Sequence, residues 1–260
     1  MLIRKTKTLA TLFLIMLTLS ACGTTKKRID YNSVNNIESH LATNFALGSL
    51  DKEKREKLES ANNGRTRKTN KISINQKITT TRNNKSTSSI VRRSEYKDIG
   101  SGVVRELHQF YRNDIPYAKF FQLSYAGVFA IKSQSLTIAR RIVSQPTEIL
   151  SIDNIDFNPG KYKKGSTHKI DYTAKVRFRS NKTTKNSVQC QNTNIIKASK
   201  IDKALSGKAI ALECKVYVDN NVNVIKNYWY LGDYGISISN GSKSAKAIVE
   251  HKILSLNVSN

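Results

Sequence analysis

The strictest constraint on the fold is a stretch in which apolar and polar residues alternate. Over residues 170–179 every second residue is Ile, Tyr, Ala, Val or Phe, and those between are Asp, Thr, Lys or Arg. A period of two predicts a β-strand with one apolar and one mostly basic face. The segments IALECKVYVDNNVNVIKNYWYL, with a turn at residues 219–221, YGISIS and AIVEHKILSLNV predict further strands. Short turns between them favour an antiparallel sheet.

Upstream of these strands, apolar residues recur at helical spacing. Within GVVRELHQFYRND they would share one helical face: Val103, Leu107, Phe110 and Tyr111. Residues 116–133 are apolar almost all round, which predicts a buried helix, with a pair of strands as the alternative. Residues 135–146 predict another short helix, which ends before Pro146.

A helical segment is also predicted nearer the N-terminus. Ile37, Leu41 and Phe45 repeat at four-residue spacing behind Asn36, which has a residue type suited to capping a helix. The charged sequence that follows extends the pattern, so residues 22–59 predict one helix or two short ones after the anchor described below.

The region between that segment and the later helices has an extreme composition. Residues 60–94 contain no Asp, Glu or aromatic residue, and Asn, Thr and Ser fill most positions. Because the segment has little apolar surface, burial would not offset the conformational entropy lost on folding. A flexible basic tether is therefore predicted. Its basic residues are Arg65, Arg67, Lys68, Lys71, Lys77, Arg82, Lys85, Arg92 and Arg93.

These patterns together predict an α+β fold. N-terminal helices, the helical part at 95–146, would pack on a curved antiparallel β-sheet at 147–260, preceded by the disordered tether. Cystatin-like and NTF2-like folds share this order of elements, but no motif here identifies either.

Two of the three cysteines are predicted to form a structural disulfide. Cys190 and Cys214 lie in the region of predicted strands, and the spacing of the cysteines does not form a zinc site. In an oxidising compartment two remaining cysteines usually pair. Two free buried thiols are the alternative.

The first 22 residues have the features of an export signal. MLIRKTK is basic without an acid, and residues 8–19 are apolar apart from three threonines, a run too short to span a bilayer comfortably. The sequence Leu19-Ser20-Ala21-Cys22 then resembles the lipobox of bacterial lipoprotein precursors. A plain secretory peptide with Cys22 as a bystander is the alternative.

The resemblance implies that residues 1–21 are a lipoprotein signal peptide and that Cys22 is the acylated first residue of the mature chain. Several acyl chains on one cysteine would anchor the protein in the lipid bilayer almost permanently. In such proteins an Asp after the cysteine commonly marks retention in the inner membrane. Gly23 stands there, so the outer membrane is expected, with the domain facing the periplasm or the cell surface.

The composition is strongly basic, with a formal net charge of +25. A basic surface favours anionic partners, such as an anionic envelope polymer, and another envelope protein is a further candidate partner. The alternative explanation of the basic composition is an AT-rich genome, in which Lys, Asn and Ile codons are common. No nucleic-acid partner is expected, since an exported protein does not meet cytoplasmic DNA or RNA and no recognition motif is present.

The motifs of common enzymes and metal sites are missing from the sequence. The four histidines, His40, His108, His168 and His251, are each isolated, so no metal and no cofactor is predicted. Two of these, His168 and His251, lie on predicted strands that could approach each other. The stretch DNIDFNPGKYKKG resembles a calcium loop, but Pro159 and Gly165 occupy the positions that need Gly and Glu.

The most unusual local feature is the aromatic segment NYWYLGDYG. Alternation would put Tyr228 and Tyr230 on one face of a strand and Trp229 on the other, with Tyr234 in a following turn. Aromatic residues with polar edges suit the binding of sugars or peptide strands. Packing in the core of the sheet is the alternative.

The leading hypothesis is a membrane-anchored envelope lipoprotein with a non-enzymatic binding or assembly role. A hydrolase acting on an envelope polymer, with no catalytic residue identified, is the first alternative. An inhibitor or immunity lipoprotein is the second.

Overall fold

The computed structural model describes residues 31–34, 36–62, 71–83, 86–161, 163–175 and 182–259. In these residues the fold is one 14-stranded sheet with two α-helices, α1 (Ile37–Asn44) and α2 (Lys52–Asn62). The strands are β1 (Lys71–Arg82), β2 (Ser86–Asp98), β3 (Val103–Arg112), β4 (Ile115–Tyr125), β5 (Phe129–Thr137), β6 (Ile142–Val143), β7 (Thr147–Glu148), β8 (Ser151–Asp156), β9 (Thr167–Lys175), β10 (Thr183–Lys197), β11 (Lys208–Val218), β12 (Asn221–Leu231), β13 (Ile236–Lys243) and β14 (Ala247–Ser259).

Neighbouring strands are antiparallel throughout, in the order β6-β5-β4-β3-β2-β1-β14-β13-β12-β11-β10-β9-β8. The two ends of this path meet in one segment. Strand β7 pairs with β5, and Ile149 also hydrogen-bonds to β5. The next residue, Leu150, hydrogen-bonds to β9, and β8 then pairs with β9. The sheet therefore curves, and the segment from β7 to β8 bridges its two ends by bonding first to β5 and then to β9.

The antiparallel order also decides which connections lie together. Strands β3, β5, β11 and β13 run in the same direction, so the turns that follow them lie at one end of the sheet. We call this the hairpin end: the turns at residues 113–114, 138–141, 219–220 and 244–246 with the strand residues beside them.

The helices cover part of the larger of two apolar cores. Phe45, Leu50 and Leu58 are buried with Phe121 and other residues of β3–β5 and β8–β12. Lys54 in α2 donates to Asp51 at 2.5 Å and to Glu148 in β7 at 2.8 Å. Burial alone would lower the pKa of Lys54, but these two acids outweigh it and raise the pKa.

A second core joins the two halves of the sheet. It is formed by β1–β3 on one side and β11–β13 on the other, and it holds Ile72, Ile74, Val104, Leu231, Ile236 and Ile238. Its formation requires strands that are more than a hundred residues apart in sequence to pack together.

The predicted α+β class, with helices packed on a sheet after a disordered tether, is wrong. Most of the segment predicted as a tether forms β1 and β2, in which Ile72, Ile74 and Ile78 alternate with polar residues and are buried. Its Thr-rich composition, taken as a sign of disorder, supplies β-branched residues that suit strands.

The helices predicted within residues 95–146 are also strands. β3 is buried on both faces, so Val103 and Leu107 face one side while Glu106 and His108 face the other. Because Glu106 and His108 are polar, one buried face of β3 does not show the alternation expected of a strand. The remaining apolar residues of β3 are spaced as in a helix. Residues 116–133 are the strand pair that was the alternative: they cover β4 and the start of β5.

Three local predictions are confirmed. Asn36 caps α1 by accepting a hydrogen bond from Ser39 N at 3.0 Å, and the N-terminal segment forms two short helices. The β11–β12 hairpin turns at Asp219 and Asn220, which have φ of 46° and 67°. Cys190 and Cys214 form a disulfide across the paired strands β10 and β11. Within the described residues, no helix has the length and apolar character needed to cross a bilayer.

Candidate functional site

A cluster of buried polar side chains lies on the face of β3 that points away from the helices. Glu106 is almost completely buried and is hydrogen-bonded on both carboxylate oxygens. Ser124 and Gln122 in β4 donate to one oxygen, the amide of Gln122 at 2.9 Å, and His108 Nε2 lies 3.0 Å from the other. A buried carboxylate without such partners would be strongly destabilising, so these contacts are what permits its position.

His108 connects this carboxylate to β2. Its Nδ1 lies 2.9 Å from Ser94 Oγ, and its ring is edge-on to Tyr96 and stacked on Phe120. Burial lowers the pKa of His108, and the neighbouring Glu106 only partly opposes this effect. His108 is therefore neutral near pH 7.

Arg92 extends the cluster from β2 toward β1 and β14. Its guanidinium donates to Gln76 Oε1 at 2.5 Å, and the Gln76 amide donates to the carbonyl oxygen of Ser239 at 3.0 Å. His251 Nδ1 lies 3.4 Å from Arg92 and 3.0 Å from the same carbonyl oxygen. Burial, followed by the adjacent Arg92 charge, lowers the pKa of His251 to about 4, so His251 is also neutral near pH 7.

These side chains border a cavity of about 350 Å³ between β2–β4 and β12–β13. Its deep residues are buried and include Glu106, Tyr96, Tyr228 and Ser237. The half-buried residues Phe110, Phe120, Lys226 and Ser242 line the part nearer the hairpin end. Ala130, at the start of β5 and away from the hairpin end, also lines the cavity and is exposed, so the cavity is open to solvent there.

The charges on the cavity wall are unequal. Among the described residues that line the cavity, Arg92 and Lys226 are cationic, whereas Glu106 is the single acidic residue. With both histidines neutral, the wall carries an excess of one positive charge near pH 7. Because aromatic rings stand beside these charges, the cavity matches a small ligand with one anionic group and an apolar part.

The hydrogen-bonded chain Ser94–His108–Glu106 contains the residue types of a serine hydrolase. However, Ser94 lies in the middle of β2 and is paired with Ile74 in β1 and His108 in β3. The backbone amides around it are engaged in the sheet, so they do not form the group of free donors that an oxyanion hole requires.

Two larger hollows lie elsewhere. One of about 450 Å³ lies between α2 and β8, and one of about 500 Å³ lies over β9–β11. Their charged side chains are exposed, as are Lys169 and Lys215, or half-buried, as are Lys57 and Glu213. We regard the smaller cavity as the stronger site because buried charged groups are held in position by a network of partners.

The aromatic residues singled out in the sequence are distributed over three environments. Tyr228 belongs to the larger core and also lines the cavity, and burial raises its pKa. Tyr230 belongs to the larger core, Tyr234 is buried in the second core, and Trp229 is half-buried against that core. The structure does not bring the four together as one exposed patch.

The other predicted site residues have separate positions. Of the nine basic residues, the described ones lie on two strands: Lys71, Lys77 and Arg82 on β1, and Arg92 and Arg93 on β2. Cys22, Arg65, Arg67, Lys68 and Lys85 lie outside the described residues. His168 bonds Asn192 at 2.9 Å, so it and His251 have different partners.

Sequence reasoning missed Gln76, Glu106 and His108 as members of a site, and it assigned Arg92 to a tether. A usable signal was present for Gln76, which occupies an inward position of β1 between Ile72, Ile74 and Ile78, whereas the inward faces of β2 and β3 hold several polar residues and gave no such signal. Within the residues that the structure covers, no group of three or more His, Cys, Asp or Glu side chains could hold a metal ion.

No protein-family model matches the chain, and no curated protein matches it. Three solved structures can be superimposed on most of the chain, with low TM-scores. A domain from Vibrio parahaemolyticus assigned to outer membrane lipoprotein sorting has a TM-score of 0.41 at 11% identity and covers 77% of this chain and 90% of that one. A DUF1329 family protein from Desulfovibrio piger has a TM-score of 0.36 at 10% identity, with 78% and 90% covered. A β-barrel-like protein of the DUF1849 domain from Brucella abortus has a TM-score of 0.38 at 10% identity, with 75% and 100% covered. Likenesses of this size carry no conclusion about the activity of this chain.

Proposed function

We propose that this protein is a lipid-anchored envelope protein that binds a small amphipathic anion in the cavity between β2–β4 and β12–β13. In this proposal Cys22 is acylated, residues 1–21 are removed, and the anchor places the domain at the outer membrane. The role is binding rather than assembly.

The observation that carries the proposal is the excess of positive over negative charge among the residues that line the cavity. Arg92 and Lys226 face one carboxylate, and the oxygens of Glu106 are already occupied by Ser124, Gln122 and His108. An anionic group on a ligand would complete the pairing of the two cations. Phe110 and Phe120 would contact its apolar part.

The test compares three probes with the same tail and different head groups. We expect octanoate to bind the chain from Cys22 onward, carrying Cys22→Ser, at least tenfold more tightly than octyl glucoside, and octylamine not to bind measurably. The difference follows from the excess positive charge of the cavity wall. Isothermal titration calorimetry at pH 7 gives all three affinities.

A charge-matched variant pair controls for non-specific attraction to a basic protein. Arg92→Gln removes a cation at the cavity, and Lys215→Gln removes one that is exposed on β11. We expect the first change to weaken octanoate binding tenfold or more and the second to leave it unchanged. Equal binding of all three head groups would contradict the proposal.

A second candidate function rests on the Ser94–His108–Glu106 chain, which would suit hydrolysis of a small ester in the same cavity. The test is Ser94→Ala, which removes the hydroxyl and leaves the charged wall intact. Retained octanoate binding with no measurable loss of p-nitrophenyl octanoate turnover supports binding. Turnover that Ser94→Ala abolishes would favour the hydrolase instead.

A further inference from the structure

The hairpin end exposes large apolar side chains at its turns. Ile115 beside the β3–β4 turn is 67% exposed and Ile142 after β5 is 54% exposed, and Val222 and Ile248 beside the other two turns are also exposed. Single exposed apolar residues are common on protein surfaces. Four at the turns of one end form a pattern, because the strand order brings these turns to the same end.

Exposed cations stand next to these apolar residues. Arg112 flanks Ile115, Arg140 and Arg141 precede Ile142, and Lys246 precedes Ile248. Arg112 is also close to an aromatic ring, since its guanidinium lies 5.6 Å from the centre of the Tyr117 ring. Apolar tips surrounded by cations and polar-edged aromatics fit the interface of an anionic bilayer.

The opposite end shows which part of this pattern is distinctive. Its connections carry exposed lysines, including Lys163, Lys164 and Lys203. In the connections there that the structure describes, no large apolar side chain is among the strongly exposed ones. Basic charge is therefore common to both ends, whereas the apolar tips belong to the hairpin end.

An independent observation concerns where the N-terminal segment joins the domain. The Arg141 guanidinium at the hairpin end lies 6.0 Å from the centre of the Tyr31 ring. Tyr31 follows Cys22 by nine residues, which span at most about 32 Å when fully extended. An acyl anchor on Cys22 would thus hold the hairpin end, rather than the opposite end, close to the bilayer.

We propose that the hairpin end is a docking surface for an anionic phospholipid bilayer, with Ile115 and Ile142 entering the interface and Arg112, Arg140 and Arg141 contacting lipid phosphates. This surface is separate from the ligand cavity and goes beyond the proposed function.

The first test removes the apolar tips. The chain from Cys22 onward carries Cys22→Ser in every variant, so no acyl chain contributes. We expect Ile115→Ser with Ile142→Ser to lower partitioning tenfold or more on vesicles of phosphatidylethanolamine and phosphatidylglycerol in a 3:1 ratio, measured by flotation. The control is Leu254→Ser with Ile195→Ser, two exposed residues on strands away from the turns, which should change partitioning less than twofold.

The second test removes two adjacent charges from either end. We expect Arg140→Gln with Arg141→Gln to lower vesicle binding at least fivefold in low salt, and less in high salt, because the Debye length shortens. Lys163→Gln with Lys164→Gln changes the net charge equally at the opposite end and should leave binding within twofold of wild type. Thermal unfolding of each variant verifies that the domain is folded.

Three outcomes would overturn the proposal. Equal losses from the two charge pairs would show general attraction to a basic protein. Unchanged binding of the Ile115 and Ile142 variant would show that no side chain enters the bilayer. Binding of soluble dextran sulfate that depends on Arg140 and Arg141, together with unchanged vesicle binding in all variants, would assign the hairpin end to an acidic polymer. None of these outcomes requires octanoate binding to fail, so the docking surface and the cavity are tested separately.

Discussion

Phe120 and Phe121 are neighbours on β4 and show how differently the two faces of the same strands are used. Phe121 is fully buried, with its ring 4.9 Å from His40 and 5.8 Å from Phe45 of the helical segment. Phe120 points to the other face, where it is half-buried and stacked 6.2 Å from His108. One face of β3 and β4 is thus an apolar core, and the other is the wall of a polar cavity.

The difference between the faces separates stability from selectivity. The face under the helices buries apolar area, which is the main favourable contribution to folding. The cavity face buries Arg92, Glu106 and His108, and such a network stabilises the fold little compared with apolar side chains of similar size. In the proposed function this network instead contributes to ligand binding.

The largest expected effect is on the apolar face. Phe121→Ala should lower the free energy of unfolding by about 3–5 kcal/mol, because a fully buried ring is replaced by a cavity. Urea denaturation at pH 7 measures the change. Phe120→Ala is the matched control on the other face, and it should lower the free energy of unfolding by no more than about 1–2 kcal/mol because the side chain is only half-buried. Equal losses would show that the two faces do not differ in this way.

The disulfide belongs to the apolar face, since Cys190 and Cys214 are both buried in the larger core. Cys190→Ala with Cys214→Ala should lower the free energy of unfolding by about 3.5 kcal/mol, the chain-entropy value for a separation of 24 residues. Urea denaturation of the oxidised wild type and the variant measures this change. Octanoate affinity should be unaffected, and a large loss of affinity would mean that the two faces are coupled.

The dependence of stability on pH should come partly from the cavity face. Burial and Arg92 lower the pKa of His251 to about 4, whereas in the unfolded chain the pKa of a histidine is about 6.5. Between these pH values the unfolded state binds more protons, so the free energy of unfolding should fall as the pH falls from about 6.5 to 4. Denaturation series at several pH values should show a shallower fall for His251→Gln. An unchanged slope in that variant would show that His251 is not responsible.

The smallest effect is expected at the start of α1. Asn36→Ala removes the side-chain acceptor for Ser39 N and should lower the free energy of unfolding by about 1 kcal/mol. Hydrogen exchange of the α1 amides reports the local change. Ligand affinity should remain at the wild-type value, since α1 lies on the other face of the sheet from the cavity, and a tenfold change would contradict this separation.

Local signals in the sequence predicted the local features of the fold. The Asn36 cap, the β11–β12 turn with its Asp and Asn residues, and the pairing of Cys190 with Cys214 each depend on residues close together in the chain or on few candidates. Such features need no knowledge of distant packing.

The site was not predictable in the same way, because it depends on distant strands. Arg92, Glu106 and Lys226 come from β2, β3 and β12, and β12 is separated from the other two strands by more than a hundred residues of sequence. A lone Glu or His within an apolar run resembles the polar side of an amphipathic helix. Only the curvature of the sheet shows that Glu106 and His108 face a cavity instead of solvent.

The most direct measurement of the central claim uses Lys226→Met. Lys226 is half-buried and lines the cavity. It therefore contributes more to the charge of the cavity wall than to the packing of either core. We predict that this variant unfolds within about 0.5 kcal/mol of wild type in urea and binds octanoate at least tenfold more weakly by calorimetry. Octanoate affinity equal to that of the wild type would contradict the proposal that the charged face of the sheet is a binding cavity.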